Sequence, residues 1–140
     1  MKKTLFILLF CMIQSIVGMA QDGMFKARVY NKDYDVFLDV NLYEESITIP
    51  GQELLGKVYG YIKKATDSRV WIIMEATLDE KARSARLVIV NDYGSEDLVA
   101  ELTADADGGY TLKQLEGSVI KMAGKGKWIK LPKIMNFKRK

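Results

Sequence analysis

The side chains that could take part in catalysis are carboxylates, because the 140-residue sequence contains no histidine and a single cysteine, Cys11. Ser-His-Asp triads, Cys-His dyads and histidine-ligated zinc or iron sites are therefore excluded. No Walker loop is present and no Gly-x-Gly-x-x-Gly motif follows a predicted strand, so the usual nucleotide-binding enzymes are not expected. A carboxylate pair can still hydrolyse a glycoside. Five candidates fall within predicted strands: Asp35, Asp39, Glu75, Asp92 and Glu101.

These carboxylates also have a plainer interpretation. The chain carries 18 acidic residues, so several will lie on strands as solvated side chains or as cross-strand partners of Lys and Arg. We expect a protein that is not an enzyme and that needs no cofactor. Catalysis by a carboxylate pair is the remaining enzymatic alternative.

Two acidic turns resemble pieces of calcium sites. Asp105, Asp107 and Gly108 have the spacing that begins a calcium loop, but the bidentate Glu expected six residues after the glycine is replaced by Gln114. Residues 92–97 gather three carboxylates around another turn. Tight turns account for both segments, and we predict no metal site.

A set of aromatic and charged residues could instead bind a small molecule. In regular strands, Trp71 and Glu75 would share one face and Arg86 would lie on a face of the next strand, which could place a Glu and an Arg in an apolar barrel lumen. Such a lumen would suit an amphipathic or lipid-like ligand with a polar head. The predicted ligand-binding residues are Tyr59, Tyr61, Trp71, Glu75 and Arg86. The alternative is that these side chains fill or cover a small barrel.

Positive charge is concentrated near the end of the sequence. Residues 117–140 carry 8 basic side chains and no acidic ones. We predict a surface basic patch made of Lys121, Lys125, Lys127, Lys130 and Lys133. A solvated face is one interpretation, and contact with an anionic envelope component or an acidic protein surface is the other. Nucleic acid is not an expected partner, because the mature chain is close to neutral and is expected to be exported.

The first twenty residues have the features of a secretory signal peptide. Lys2 and Lys3 precede an apolar run over residues 5–13, and small residues at Gly18 and Ala20 suit cleavage after Ala20. The run is too short to span a bilayer, and no transmembrane segment is expected in the mature chain. We therefore predict a periplasmic or secreted protein in which residues 1–20 are removed and residues 21–140 form a single β domain without disulfides.

Period-two alternation of apolar residues predicts an all-β chain. Val36, Leu38, Val40 and Leu42 alternate with polar or mixed residues, and a hairpin with the segment around Ile47 is expected. We predict a single antiparallel domain of about eight to ten short strands. An up-and-down barrel is favoured over a β-sandwich, because nearly every connection is short and closure removes exposed edges.

The size, strand count and meander resemble the calycin group, which comprises the lipocalin and fatty-acid-binding barrels. This resemblance implies a barrel that holds a small apolar ligand. The lipocalin Gly-x-Trp pattern has no counterpart near the first strand, since Trp71 and Trp128 lie far downstream. No functional residue is therefore carried over from it. The chain also resembles uncharacterised small exported proteins of Gram-negative anaerobes.

Two functional hypotheses follow. In the first, the barrel is a binding module for an amphipathic small molecule held in its lumen. In the second, the barrel has a solid core and acts through its surface, as an accessory, inhibitor or envelope protein-interaction module with a basic C-terminal face.

Overall fold

The structure is a computed structural model that describes residues 23–124 and 126–140. The predicted signal peptide lies outside the described residues. Twelve strands and one 3-10 turn, Glu53–Leu55, are present in the described ranges. The strands are β1 (Lys26–Asn31), β2 (Val36–Asn41), β3 (Ile47–Thr48), β4 (Lys57–Val58), β5 (Gly60–Lys64), β6 (Val70–Asp79), β7 (Ser84–Asn91), β8 (Asp97–Ala104), β9 (Tyr110–Gly117), β10 (Lys121–Gly124), β11 (Lys127–Lys130) and β12 (Ile134–Phe137).

Eight of these strands form one antiparallel sheet in the order β1-β2-β5-β6-β7-β8-β9-β12. The first and last strands meet where Tyr30 and Lys138 exchange two backbone hydrogen bonds, of 2.8 and 3.0 Å. The sheet therefore nearly closes on itself. The prediction of an all-β up-and-down barrel is confirmed, and the architecture is compatible with that of the calycin group.

The remaining four strands form two short hairpins, β3–β4 and β10–β11. The expected pairing of β2 with the segment around Ile47 is wrong, because β2 pairs with β1 and β5 while Ile47 pairs with Val58. The apolar side chains of this segment cover the outside of the barrel. Ile49 and Val58 pack in an outer cluster with Tyr61 and two residues of β6, so their burial draws the hairpin onto the barrel wall.

The barrel interior is filled by the barrel's own side chains. Strands β7 and β8 alternate buried and less buried residues along their whole length, as period two requires. Large interior side chains from all eight strands of the barrel sheet are at most 2 % exposed: Val29, Leu38, Ile62, Ile73, Leu87, Ile89, Leu102, Leu112 and Phe137. A void wide enough for water would give its lining side chains accessible area. The interior around these residues is therefore a packed core.

One end of the barrel carries the elements that matter for the candidate site. We call it the hairpin end. Four connecting segments lie there: 32–35, 65–69, 92–96 and 118–133, the last of which contains β10 and β11. The segment 118–133 is fastened to the barrel through β9. The Gln114 side chain accepts a hydrogen bond from Ile120 N at 2.8 Å and donates one to Pro132 O at 3.1 Å. Ile120, Met122 and Leu131 then join the core.

Within the described ranges, no helix has both the length and the apolar character needed to cross a membrane.

Candidate functional site

A β-bulge in β6 changes which residues face the barrel interior. Ile73 pairs with Ile89, but the next pair in register is Glu75 with Val88, so Met74 is the extra residue. After the bulge the inward side of β6 continues through Ala76 and not through Glu75, which is exposed. The prediction that Trp71 and Glu75 share a lumen face is therefore wrong: Trp71 is in the core and Glu75 is outside.

Arg86 also lies on the outer wall. It is opposite Thr77 and Glu101 in the sheet, and its guanidinium lies 3.3 Å from a carboxylate oxygen of Glu116. The two side chains are 61 % and 72 % exposed, so this ion pair is a solvated surface contact worth ~0–1 kcal/mol. The expectation that Arg86 faces a lumen is wrong.

The two predicted tyrosines lie apart from each other. Tyr61 belongs to the outer cluster beneath the β3–β4 hairpin, while Tyr59 packs against the interior core. Burial raises the pKa of the Asp39 carboxyl, and Arg28 and the Tyr61 hydroxyl hold it down in part. Burial, with the nearby Asp39 charge, raises the pKa of Tyr61 as well. The structure therefore does not gather the predicted ligand-binding residues into one lumen.

Trp71 instead forms the floor of a cleft at the hairpin end. Its indole is 4 % exposed, and its Nε1–H donates a hydrogen bond to the backbone oxygen of Lys121 at 3.1 Å. This bond ties the β10–β11 hairpin to the start of β6. The cleft has a volume of about 290 Å³ and is lined by Arg69, Trp71, Asn91, Asp92, Tyr93, Glu96, Lys121 and Trp128.

The connection between β7 and β8 forms one wall of the cleft. The Asn91 side chain accepts hydrogen bonds from Ser95 N at 2.9 Å and Glu96 N at 3.2 Å, and it donates one to Ser95 Oγ at 3.0 Å. Gly94 adopts the left-handed conformation at φ 71°, which favours glycine. This turn is therefore well determined, and it presents Tyr93 to solvent at 75 % exposure.

The β10–β11 hairpin forms the opposite wall. Trp128 is 56 % exposed, and the guanidinium of Arg69 lies 4.3 Å from the centre of its ring. A planar cation at this distance from an indole makes a favourable cation–π contact. The cleft thus has one buried indole as its floor and one exposed indole as its rim.

The charged groups of the cleft have different partners. Lys121 Nζ lies 3.0 Å from Glu96 Oε1, so these two charges largely neutralise each other. Asp92 accepts a weak hydrogen bond of 3.4 Å from Gln52. Among the described residues Arg69 takes part in no ion pair, which leaves its guanidinium available to an anionic ligand group.

The predicted basic patch is divided by this arrangement. Lys121 and Lys130 lie directly opposite each other in the β10–β11 hairpin, but Lys121 is half-buried and paired with Glu96. Lys127, Lys130 and Lys133 are exposed. Lys125 lies outside the described residues.

The segment that resembles a calcium loop forms a tight turn. Asp105 N donates to Gly109 O at 2.8 Å, Asp107 Oδ1 accepts from Gly109 N at 2.9 Å, and Asp105 Oδ2 accepts from Thr111 Oγ1 at 2.9 Å. Both carboxylates are thus used within the turn. In the described part of the chain, no group of three or more Asp, Glu or Cys side chains is placed to hold a metal ion.

Comparison of the chain with protein-family models, with curated proteins and with solved structures gave no match.

Proposed function

We propose that the protein is an exported binding module, and not an enzyme, that takes an amphipathic small molecule at the hairpin-end cleft. The proposal combines the predicted signal peptide with the geometry of the cleft. It uses the likeness to calycin barrels only at the level of architecture, because the interior that would hold a ligand in those barrels is packed here.

The observation that carries the proposal is the pair of indoles. Trp128 keeps more than half of its surface exposed, and exposed aromatic groups at the rim of a concave site commonly act as binding anchors. Arg69 covers part of the ring and holds a free cationic group beside it. A flat apolar group could stack on Trp128 while an anionic group approaches Arg69.

The size of the cleft limits what it can hold. Its volume of about 290 Å³ is at the lower end of the range for small-molecule sites, which is ~300–1,000 Å³. It therefore suits one ring or a head group, with the rest of the ligand lying across the surface next to Tyr93.

The second candidate is a surface-acting module with a solid core, and the packed interior is the observation that favours it. In that case the exposed lysines of the β10–β11 hairpin, Lys127 and Lys130, would carry the contact with an anionic partner.

Titration with anilinonaphthalene sulfonate, a flat aromatic dye with an anionic group, tests the proposal. Dye emission is excited directly, so that the signal does not depend on the tryptophans. We expect saturable binding that Trp128→Ala weakens by ~10-fold and Arg69→Ala by ~3-fold to 10-fold. Circular dichroism of each variant confirms the fold.

Arg86→Ala is the matched control. It removes the same charge from the outer barrel wall, and we expect an unchanged dissociation constant. Equal binding by the native protein and by Trp128→Ala would overturn the cleft proposal. Weaker binding by Lys127→Ala and Lys130→Ala alone would favour the surface-acting module.

A further inference from the structure

The two edges of β12 have different surroundings. One edge pairs with β9 in register from Ile134 to Phe137. Gln114 N donates to Lys133 O at 2.7 Å, whereas Lys138 exchanges its two bonds with Tyr30 of β1. Because hydrogen-bonding groups alternate along an antiparallel strand, residues 133, 135 and 137 face β9 and residues 134, 136 and 138 face the β1 side.

Strand β1 does not continue alongside this second edge. It ends at Asn31, and the chain turns away over residues 32–35. The Asn31 side chain donates a hydrogen bond to Asn136 O at 2.8 Å, which satisfies one edge group. Within the described residues, the backbone N–H and C=O of Ile134 and the backbone N–H of Asn136 make no backbone hydrogen bond to residues 32–35. A short length of strand edge is therefore open at the seam of the barrel.

A groove of about 870 Å³ runs along this seam. Residues 30–34 form one wall, and Ile134 and Asn136 lie on the other. Ile134 is a large apolar side chain that is 58 % exposed. The groove and the hairpin-end cleft share no lining residue, so they are separate sites.

The charge of the groove is strongly positive. Its lining contains four basic residues and one acidic residue, Asp33. The basic residues are Lys32, Lys138, Arg139 and Lys140. None of these four cations takes part in an ion pair within the described ranges. Lys140 Nζ lies over the rings of Tyr30 and Phe37, at 4.7 and 5.4 Å from their centres. An excess of cations without an acidic partner favours a polyanionic ligand.

We propose that the seam groove binds an extended acidic peptide segment, which adds a strand to the open edge of β12. An added strand would satisfy the free backbone groups of Ile134 and Asn136, which is the contact that strand addition provides. Alternate side chains of the peptide then point toward the groove wall. Acidic side chains meet Lys138 and Arg139, and apolar ones can cover Ile134. The open edge favours a peptide over other polyanions, because it offers hydrogen bonds to a backbone.

Fluorescence anisotropy with a labelled peptide of alternating Glu and Val tests this proposal. We expect saturable binding of the acidic peptide and none of the matched Lys-Val peptide. Two further versions carry N-methyl groups on alternate residues, which removes half of the backbone donors in each. At least one of them is expected to bind ~10-fold more weakly, since each net hydrogen bond contributes ~0.5–1.5 kcal/mol.

Protein variants identify the binding site. The double change Lys138→Ala and Arg139→Ala should weaken binding by ~10-fold or more. Lys57→Ala with Lys81→Ala removes two exposed charges that do not line the groove, and this matched control should leave binding unchanged. Ile134→Pro removes an N–H on the seam side and spares the hydrogen bonds to β9, so it should also weaken binding.

The possible contrary results are distinct. Equal binding of the parent peptide and both methylated peptides would show that electrostatic attraction alone holds the peptide, and it would overturn strand addition. Absence of peptide binding would also overturn the proposal. Binding of heparin but not of the peptide would identify a glycan-like polyanion instead. Self-association through the seam in sedimentation, lost in Ile134→Pro, would identify a second copy as the occupant. None of these results bears on dye binding at the cleft.

Discussion

Replacing Gln114 with Leu tests how the candidate cleft is held to the barrel. The Gln114 side chain is 7 % exposed and bonds to Ile120 N and Pro132 O, close to the two ends of the segment 118–133. Leucine fills similar space without either hydrogen bond. A buried backbone group left without a partner costs ~1–3 kcal/mol. Ile120 is fully buried, so its N–H contributes near the upper value, while the half-exposed Pro132 carbonyl can regain water. We expect a total loss of ~2–4 kcal/mol.

Urea unfolding followed by far-ultraviolet circular dichroism measures this loss. Lys113→Leu, at the exposed neighbouring position on β9, is the control and should change the free energy of unfolding by less than ~0.5 kcal/mol. Gln114→Leu should also weaken dye binding, because Trp128 is carried by the segment that loses its attachment. A loss below ~1 kcal/mol, with Trp128 emission unchanged, would refute the view that this one side chain fastens the hairpin end.

Other predictions concern the barrel wall and the buried phenols. A Cβ atom added at Gly60 would clash with the backbone oxygen of Asp39, so Gly60→Ala should lower the free energy of unfolding by ~1–3 kcal/mol or more. Gly23 has open space around it, so Gly23→Ala is the control and should not destabilise the fold. The midpoints of urea unfolding measure both effects. Burial raises the pKa of Tyr61 and of Tyr110 above 10, so the folded state favours the neutral form of both phenols. The neutral phenols therefore stabilise the fold, and this contribution to the free energy of unfolding should be lost as the pH rises through the raised pKa values. Absorbance at 295 nm and urea midpoints across the alkaline range measure this, and simultaneous titration of all tyrosines at pH 10 in the folded protein would contradict it.

The fold could be predicted because its signals are local. Alternation in segments such as 84–91 and 97–104 identifies strands that are buried on one side, and short turns limit the chain to antiparallel neighbours. The pairing of β2 with β5 could not be predicted, since it depends on the outer cluster that holds the intervening hairpin on the barrel wall.

The cleft was only partly predictable, for a different reason. The sequence indicates Trp71 and Lys121 as candidates, but for separate roles, and it gives no sign that Tyr93 belongs with them. Nothing in the residues around Met74 distinguishes a bulge from a regular strand, yet that one extra residue moves Glu75 to the outer wall. The cleft itself combines three connections that are distant in the sequence, and only the closed barrel brings them to the same end.

The claim that a ligand binds at the hairpin end, and not in the barrel interior, is tested most directly by a 1H–15N correlation spectrum recorded during titration with anilinonaphthalene sulfonate. The chain contains two tryptophans, and both line the cleft, so its two indole N–H signals report on this site alone. We predict that both indole signals and the amide of Tyr93 shift, while the core amides of Leu87 and Leu102 do not. Shifts of the core amides with unchanged indole signals would contradict the account.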